Sequence, residues 1–139
     1  MLNKHFDINA NGNSIHCTIY ATDLKKVEQV ILFGHGFGGH RDNHAAARFA
    51  EVCLSKYKTA VLIVFDWPCH GSDARNKLTL DACDSYLSTV LDYIQKQYHP
   101  KRLLGYGTSF GGYQFLRYLH FSRQSFRKTG TSMPIGRSE

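Results

Sequence analysis

Several features that mark other protein classes are absent from this sequence. No stretch of the 139 residues approaches the roughly 18 to 20 consecutive apolar residues that cross a bilayer, and the opening MLNKHFDINANG has no apolar core of a signal peptide. The four cysteines include no C-x-x-C pair, which argues against a disulfide scaffold or a zinc knuckle. We therefore expect a cytoplasmic protein without a membrane span, a bound metal or a cofactor.

The composition is that of one folded unit. Hydrophobic residues make up 42% of the chain, and 17 Lys and Arg residues outnumber 11 Asp and Glu residues. Such a chain buries too much apolar surface to be disordered. The last 18 residues carry half of the net charge of +6, and a short basic end is more often solvated than a nucleic-acid-binding arm. We predict a domain over residues 1–121, a poorly ordered basic tail over 122–139, and no specific nucleic-acid partner.

Five segments have the pattern of β-strands. Residues 4–9 and 13–20 flank Asn11-Gly12, a dipeptide that favours a tight hairpin turn. Apolar bursts over 27–33, 59–65 and 102–106 predict buried strands.

Three segments have the pattern of helices. The first begins after Asp42 or Asn43 and ends near Tyr57, and the second begins after Thr79 with apolar residues every three or four positions. The third runs from Ser109 to about Phe121, and for it we predict that Tyr113, Leu116 and Leu119 face inward.

Together these elements predict an α/β fold. After the hairpin, strands and helices alternate three times, which indicates a mostly parallel sheet of about five strands with helices on both faces. In such sheets the chemistry collects at the carboxyl ends of the strands. Three unusual loops leave those ends, GHGFGGHRDN, DWPCHGSD and GYGTSFGG.

The third loop contains a candidate nucleophile, Ser109. Residues Gly107 to Gly111 match G-x-S-x-G between a predicted strand and a predicted helix, which is the setting of a nucleophile elbow. The glycines at positions 107 and 111 are needed because side chains there would strike the adjoining strand or helix. We predict that Ser109 is catalytic and that the N–H of Phe110 is one oxyanion donor.

A second oxyanion donor is expected from the loop after an earlier strand. That loop contains Phe37 and Gly38, either of whose N–H groups suits this role, and Phe37 is our preferred candidate. The supporting loop residues are His35, Gly36, Gly38 and Gly39.

These three loops, in this order and spacing, resemble those of the α/β-hydrolase superfamily, and within it the monoglyceride-lipase-like and serine-aminopeptidase-like branch. The resemblance covers roughly residues 1–121 and implies a serine hydrolase acting on the acyl group of a small ester, thioester or amide. Cys69 stands where the family often has glycine.

The resemblance also implies a catalytic acid and base that follow the nucleophile, in the order Ser, Asp or Glu, His. After Ser109 the chain has only His120 and Glu139, in reversed order, and a helix would place His120 some 16 Å away. The family pattern assigns the role of the base to none of the upstream histidines His35, His40, His44 and His70. We therefore expect a truncated, split or frame-disrupted hydrolase with little turnover alone, and self-association through the open edge of its sheet.

Two alternatives remain open. Gly34, Gly36 and Gly39 also satisfy the G-x-G-x-x-G pattern of a dinucleotide site, with Asp66 as the acid for the ribose, although HRDN separates this loop from the helix. A non-catalytic interaction module is the other alternative, because the acid and the base are missing. His40 and His44 have the spacing of zinc ligands but lack the glutamate of H-E-x-x-H.

Overall fold

Five strands and three helices form the fold of the part of the chain that the computed structural model describes, residues 1–73 and 77–129. The elements in chain order are β1 (Leu2–Ala10), β2 (Asn13–Ala21), β3 (Gln29–Gly34), α1 (His44–Lys56), β4 (Ala60–Phe65), α2 (Leu80–Tyr98), β5 (Arg102–Gly107) and α3 (Phe110–Thr129), with a short 3-10 turn at Gly71–Asp73. The predicted order of hairpin and alternating strands and helices is confirmed.

The strands form one mixed sheet in the order β1-β2-β4-β3-β5. Strands β1, β2 and β4 pair antiparallel, whereas β4, β3 and β5 are parallel. The hairpin turn has positive φ at both central residues, 55° at Asn11 and 76° at Gly12, as a tight hairpin turn requires. The prediction of an α/β fold with a five-stranded sheet and an N-terminal antiparallel hairpin is confirmed.

Both predicted helix caps are present. The side chain of Asn43 accepts a hydrogen bond from Ala46 N at 2.8 Å, and Thr79 accepts one from Ala82 N at 3.0 Å. Each cap satisfies one of the backbone donors that a helix leaves unpaired at its first turn. The helices therefore begin where the sequence indicates.

The helices cover both faces of the sheet. On one face α1 packs on β3 and β4 through Ala46, Ala50 and Leu54. On the other face α2 and α3 cover a larger apolar cluster, to which α2 contributes Cys83, Tyr86, Leu87, Val90, Leu91 and Ile94. Within the described residues no helix is long and apolar enough to cross a membrane.

The inward face of α3 differs from the prediction. Tyr113 and Leu116, expected to face inward, are 56% and 68% exposed, and Leu119 is only partly buried. The buried positions are Gly111, Gln114 and Phe115. Hydrophobic periodicity missed this face because two of its three residues are not apolar.

The length of α3 also differs from the prediction. Its backbone continues to Thr129 rather than ending near Phe121, because the sequence has no glycine or proline between Gly112 and Gly130 to stop it. The tail predicted over 122–139 therefore begins within α3, and its residues 130–139 lie outside the described residues.

A close backbone contact seats α3 on β3. A Cβ atom on Gly111 would lie 2.1 Å from Gly34 O and 2.7 Å from His35 O. The Phe115 ring packs against Gly34 in the same way, 2.9 Å from where a Cβ would be. Both glycines are therefore required for the helix to begin so near the sheet.

We predict that Gly111→Ala lowers the free energy of unfolding by about 3 kcal/mol, because the new methyl group overlaps backbone atoms that cannot move independently. Urea denaturation followed by circular dichroism measures this change. Gly36→Ala is the matched control, since a Cβ there would lie 3.5 Å from its nearest neighbouring atom, an ordinary contact distance. This variant should lower the free energy of unfolding by less than about 1 kcal/mol. Equal losses in the two variants would contradict the packing argument.

Strand β5 is the last strand of the described sheet and pairs only with β3 among the described residues. Its Tyr106 is 41% exposed and stacks on Phe49 with ring centroids 4.4 Å apart. An edge strand with apolar neighbours is a template for pairing with another chain.

We predict that the protein self-associates through β5 as its concentration rises, which multi-angle light scattering measures. Tyr106→Lys should shift the population toward monomer because a charged side chain on an edge opposes pairing. Val52→Lys is the control, since Val52 is 61% exposed on α1. A monomeric wild-type protein at high concentration would contradict the prediction.

Candidate active site

The turn between β5 and α3 holds Ser109 in a conformation that suits a nucleophile. Ser109 is exposed, and its φ of 50° lies in the left-handed region that non-glycine residues rarely adopt. A Cβ on Gly107 would lie 2.3 Å from Gly112 N, so no side chain fits at that position. The backbone therefore turns sharply enough to present the serine hydroxyl outside the sheet.

The loop after β3 lies against this turn. A Cβ on Gly36 would be 3.5 Å from Thr108 O and 4.0 Å from Ser109 Cβ. The two loops that the sequence analysis assigned to the nucleophile and to the oxyanion donors are therefore neighbours at the carboxyl ends of β3 and β5.

Hydrogen bonds distinguish the two candidates for the second donor. The N–H of Gly38 donates to His70 Nε2 at 3.0 Å, so it is already engaged. Within the described part of the chain, the N–H groups of Phe37 and Phe110 donate to no protein acceptor. Their rings lie 6.1 Å apart between centroids, so the two residues are neighbours.

His35 is a structural residue. It is 1% exposed, and its Nδ1–H donates to Gly36 O at 2.7 Å while Nε2 accepts from Trp67 N at 3.2 Å. Burial lowers the pKa of His35 below its ordinary value, and the neighbouring His70 adds to this effect. Because Nε2 accepts a hydrogen bond the imidazole is neutral, and neither of its nitrogens is available to Ser109.

The carboxylate of Asp66 holds two loops together at the end of β4. Its oxygens accept from Arg41 N at 2.7 Å and from Ser72 N at 3.2 Å, and the residue is 1% exposed. Gly71 leaves room for this carboxylate, because a Cβ there would lie 2.5 Å from it. A buried acid bonded to backbone amides is not available to a ribose hydroxyl, which argues against the dinucleotide alternative.

The loop after β4 contains Cys69 in a backbone conformation that favours glycine. Cys69 has a φ of 68°, the left-handed conformation that glycine would adopt without strain. The thiol is exposed and forms no disulfide. Among the described residues, no group of three or more His, Cys, Asp or Glu side chains is placed to hold a metal ion.

The remaining histidines do not complete a catalytic triad. His70 is buried, and both of its ring nitrogens have partners, Pro68 O and Gly38 N. His40 is exposed and accepts from Asp42 N, and His44 is exposed at the start of α1. His120 lies on the exposed side of α3, about three turns beyond Ser109.

Sequence reasoning missed the residues that support the site from below. Trp67 is fully buried, donates from Nε1 to His35 O at 3.1 Å, and packs on Phe110 with ring centroids 5.8 Å apart. His70 was considered only as a base, yet it contacts both proposed donor residues. Polar groups of adjacent strand-end loops are expected to meet, but no sequence pattern specified these pairings.

We predict that Ser109→Gly is more stable than Ser109→Ala by about 1 kcal/mol, because only glycine adopts a φ of 50° without strain. Chemical denaturation of the two variants measures the difference. At Thr108, whose φ is not positive, the order should reverse, with glycine less stable than alanine. The same order at both positions would refute a strained turn at Ser109.

Comparison with known proteins places this fold and site in a family. The family described as "Alpha/beta hydrolase family" matches residues 30–133 of the chain, which include all three strand-end loops. A comparison with curated protein sequences gives no match. The narrower resemblance to the monoglyceride-lipase-like and serine-aminopeptidase-like branch stays a prediction.

Solved structures of hydrolases have the same fold. A cold-adapted esterase from an Arctic intertidal metagenomic library aligns with a TM-score of 0.72 and 16% identity over 98% of this chain and 58% of its own. A serine hydrolase without a lid from Xanthomonas campestris aligns with a TM-score of 0.69 and 16% identity, over 86% and 56% respectively. Est1E of Butyrivibrio proteoclasticus, in a structure with bound ferulic acid, aligns with a TM-score of 0.67 and 19% identity, over 86% and 48%. The chain thus spans about half the length of these structures, and it belongs to the alpha/beta hydrolase family.

Proposed function

We propose that the chain carries the nucleophile and the oxyanion donors of a serine hydrolase that cleaves a carboxylic ester, thioester or amide through an acyl-enzyme. The observation that carries the proposal is the exposed Ser109 at a φ of 50°, with the Gly36 backbone beside it. We assign the role of oxyanion donor to the N–H groups of Phe37 and Phe110, which have no protein acceptor within the described residues.

In the proposed reaction Ser109 Oγ attacks the carbonyl carbon and loses its proton to a base. The carbonyl oxygen becomes an oxyanion, which the N–H groups of Phe37 and Phe110 stabilise together with the positive end of α3. Collapse of the tetrahedral intermediate breaks the bond to the alcohol, thiol or amine, which leaves with a proton. Water then hydrolyses the acyl-enzyme and restores Ser109.

The base and its acidic partner are not found among the described residues around Ser109. His35 and His70, which lie closest to the oxyanion loop, have both ring nitrogens engaged. A serine without a base is a weak nucleophile at neutral pH. We therefore expect slow turnover by this chain alone, with Ser109 still reactive toward a strongly activated reagent.

A carboxylic ester is the first substrate class to test. The walls beside Ser109 are the aromatic rings of Phe37 and Phe110, and Phe37 is 73% exposed. Such walls favour a small apolar acyl group, and one of the structural relatives described above is named as an esterase. A cytoplasmic location stays a prediction of the sequence.

We predict that a fluorophosphonate probe labels the wild-type protein at Ser109, with loss of fluoride and formation of a bond between Oγ and phosphorus. Intact-protein mass spectrometry should show a single adduct, and peptide mapping should place it on residue 109. Ser109→Ala should abolish both this adduct and any release of p-nitrophenol from p-nitrophenyl acetate.

The control variant is Ser55→Ala, which removes an exposed serine hydroxyl from α1 and should leave labelling unchanged. An unlabelled wild-type protein would overturn the proposed function and favour a non-catalytic interaction module. Saturable binding of a nicotinamide or flavin dinucleotide would instead support the alternative at residues 34–39.

A further inference from the structure

His70 lies in the loop after β4, and both of its ring nitrogens form hydrogen bonds. It is 6% exposed, and its Nδ1 lies 2.9 Å from Pro68 O, a carbonyl that only accepts hydrogen bonds. Nδ1 therefore carries the proton. Nε2 lies 3.0 Å from Gly38 N and accepts its N–H. The two bonds together require a neutral imidazole of one tautomer.

The ring of His70 also touches both residues to which we assign the oxyanion donors. Its centroid lies 5.3 Å from that of Phe37, edge to face, and 6.1 Å from that of Phe110, nearly parallel. Phe37 and Phe110 are themselves 6.1 Å apart. The imidazole is thus the third member of a triangle of rings and sets the spacing between the other two.

The tip of the oxyanion loop has few other attachments. Phe37 is 73% exposed, and a Cβ on Gly38 would meet no atom within 4 Å. Apart from the bond between Gly39 N and Gly36 O, which is internal to the loop, the bond to His70 fixes this tip to the rest of the described molecule.

We propose that His70 is a positioning residue that holds the Phe37 N–H beside Ser109 through its bond to Gly38 and releases the loop when Nε2 is protonated. The proposal rests on the proposed function of Ser109 and adds that the oxyanion loop keeps its position only while the imidazole of His70 is neutral. Protonated Nε2 becomes a donor that faces the N–H of Gly38, so the two groups no longer bond and the tip of the loop moves away.

The groups around His70 do not replace it in this role. His35, whose ring centroid is 5.1 Å away, is buried with both nitrogens engaged. Asp66 directs its carboxylate at the amides of Arg41 and Ser72. From α3 the contact is Phe110, which has no charge, and from the loop after β3 His40 is directed to Asp42 N.

Two variants of the full chain separate the hydrogen bond from the packing. His70→Gln offers a carbonyl oxygen near the position of Nε2, so it keeps an acceptor that does not titrate. His70→Phe keeps a ring but has no acceptor. His44→Gln is the matched control, because His44 is exposed on α1. Circular dichroism at each pH checks that all four proteins are folded.

The first readout is the ¹H–¹⁵N spectrum of Gly38 and Phe37 between pH 8 and pH 5. In wild type and His44→Gln, we expect both signals to move together on acidification. In His70→Gln they should keep near-native positions throughout, and in His70→Phe they should be displaced at every pH. Signals in wild type that do not move, or native positions in His70→Phe, would overturn the proposal.

The second readout is the rate of fluorophosphonate labelling at Ser109, expressed as the ratio of wild type to His70→Gln to cancel the effect of pH on the serine. We expect a ratio near one at pH 8 that falls on acidification, and a rate in His70→Phe at least about tenfold below wild type at pH 8. A constant ratio would overturn the proposal while leaving Ser109 as the nucleophile.

If wild type is not labelled at all, the proposed function fails and the spectra still decide the role of His70. If His70→Phe does not fold, the comparison of wild type with His70→Gln decides it.

Discussion

The contact on which the structure depends is the approach of the α3 backbone to the end of β3. Gly111 lies so near Gly34 O that even a methyl group would overlap it. This contact lets α3 begin with only two residues between it and the end of β5, and the chain then has too little length to turn without strain. Ser109 adopts the strained positive φ of this turn. The exposure of its hydroxyl therefore depends on the lack of side chains at Gly34 and Gly111, where the helix meets the strand.

A second layer of buried polar groups holds the loops around this turn. His35, Asp66 and Trp67 bond to backbone groups of neighbouring loops, and each is at most 1% exposed. Because the partners are backbone atoms, these bonds fix the positions of the loops and do not depend on the side chains of the partner residues. The opening beside Ser109 is therefore shaped by a rigid polar layer, with the aromatic residues Phe37 and Phe110 on top of it.

Most of the fold could be predicted from the sequence because its signals are local. The turn at Asn11-Gly12, the cap at Asn43 and the cap at Thr79 each act through neighbouring residues, and all three are present. The inward face of α3 could not be predicted by the same means. Its buried residues include Gly111, which fits because it has no side chain. They also include Gln114, whose amide has no hydrogen-bond partner among the described residues. The bond to His70 could not be predicted either, since its partner Gly38 lies 32 residues away and contributes only its backbone N–H.

Trp67 is the only tryptophan of the chain, and its indole packs on Phe110, the residue that follows Ser109. Its indole is shielded from water and bonded to the main chain of the neighbouring loop. The tryptophan fluorescence of this protein therefore originates from a single position close to Ser109. Any event that loosens the surrounding loops or fills the opening above them alters the colour or intensity of that emission, so the molecule carries an optical reporter of its own site.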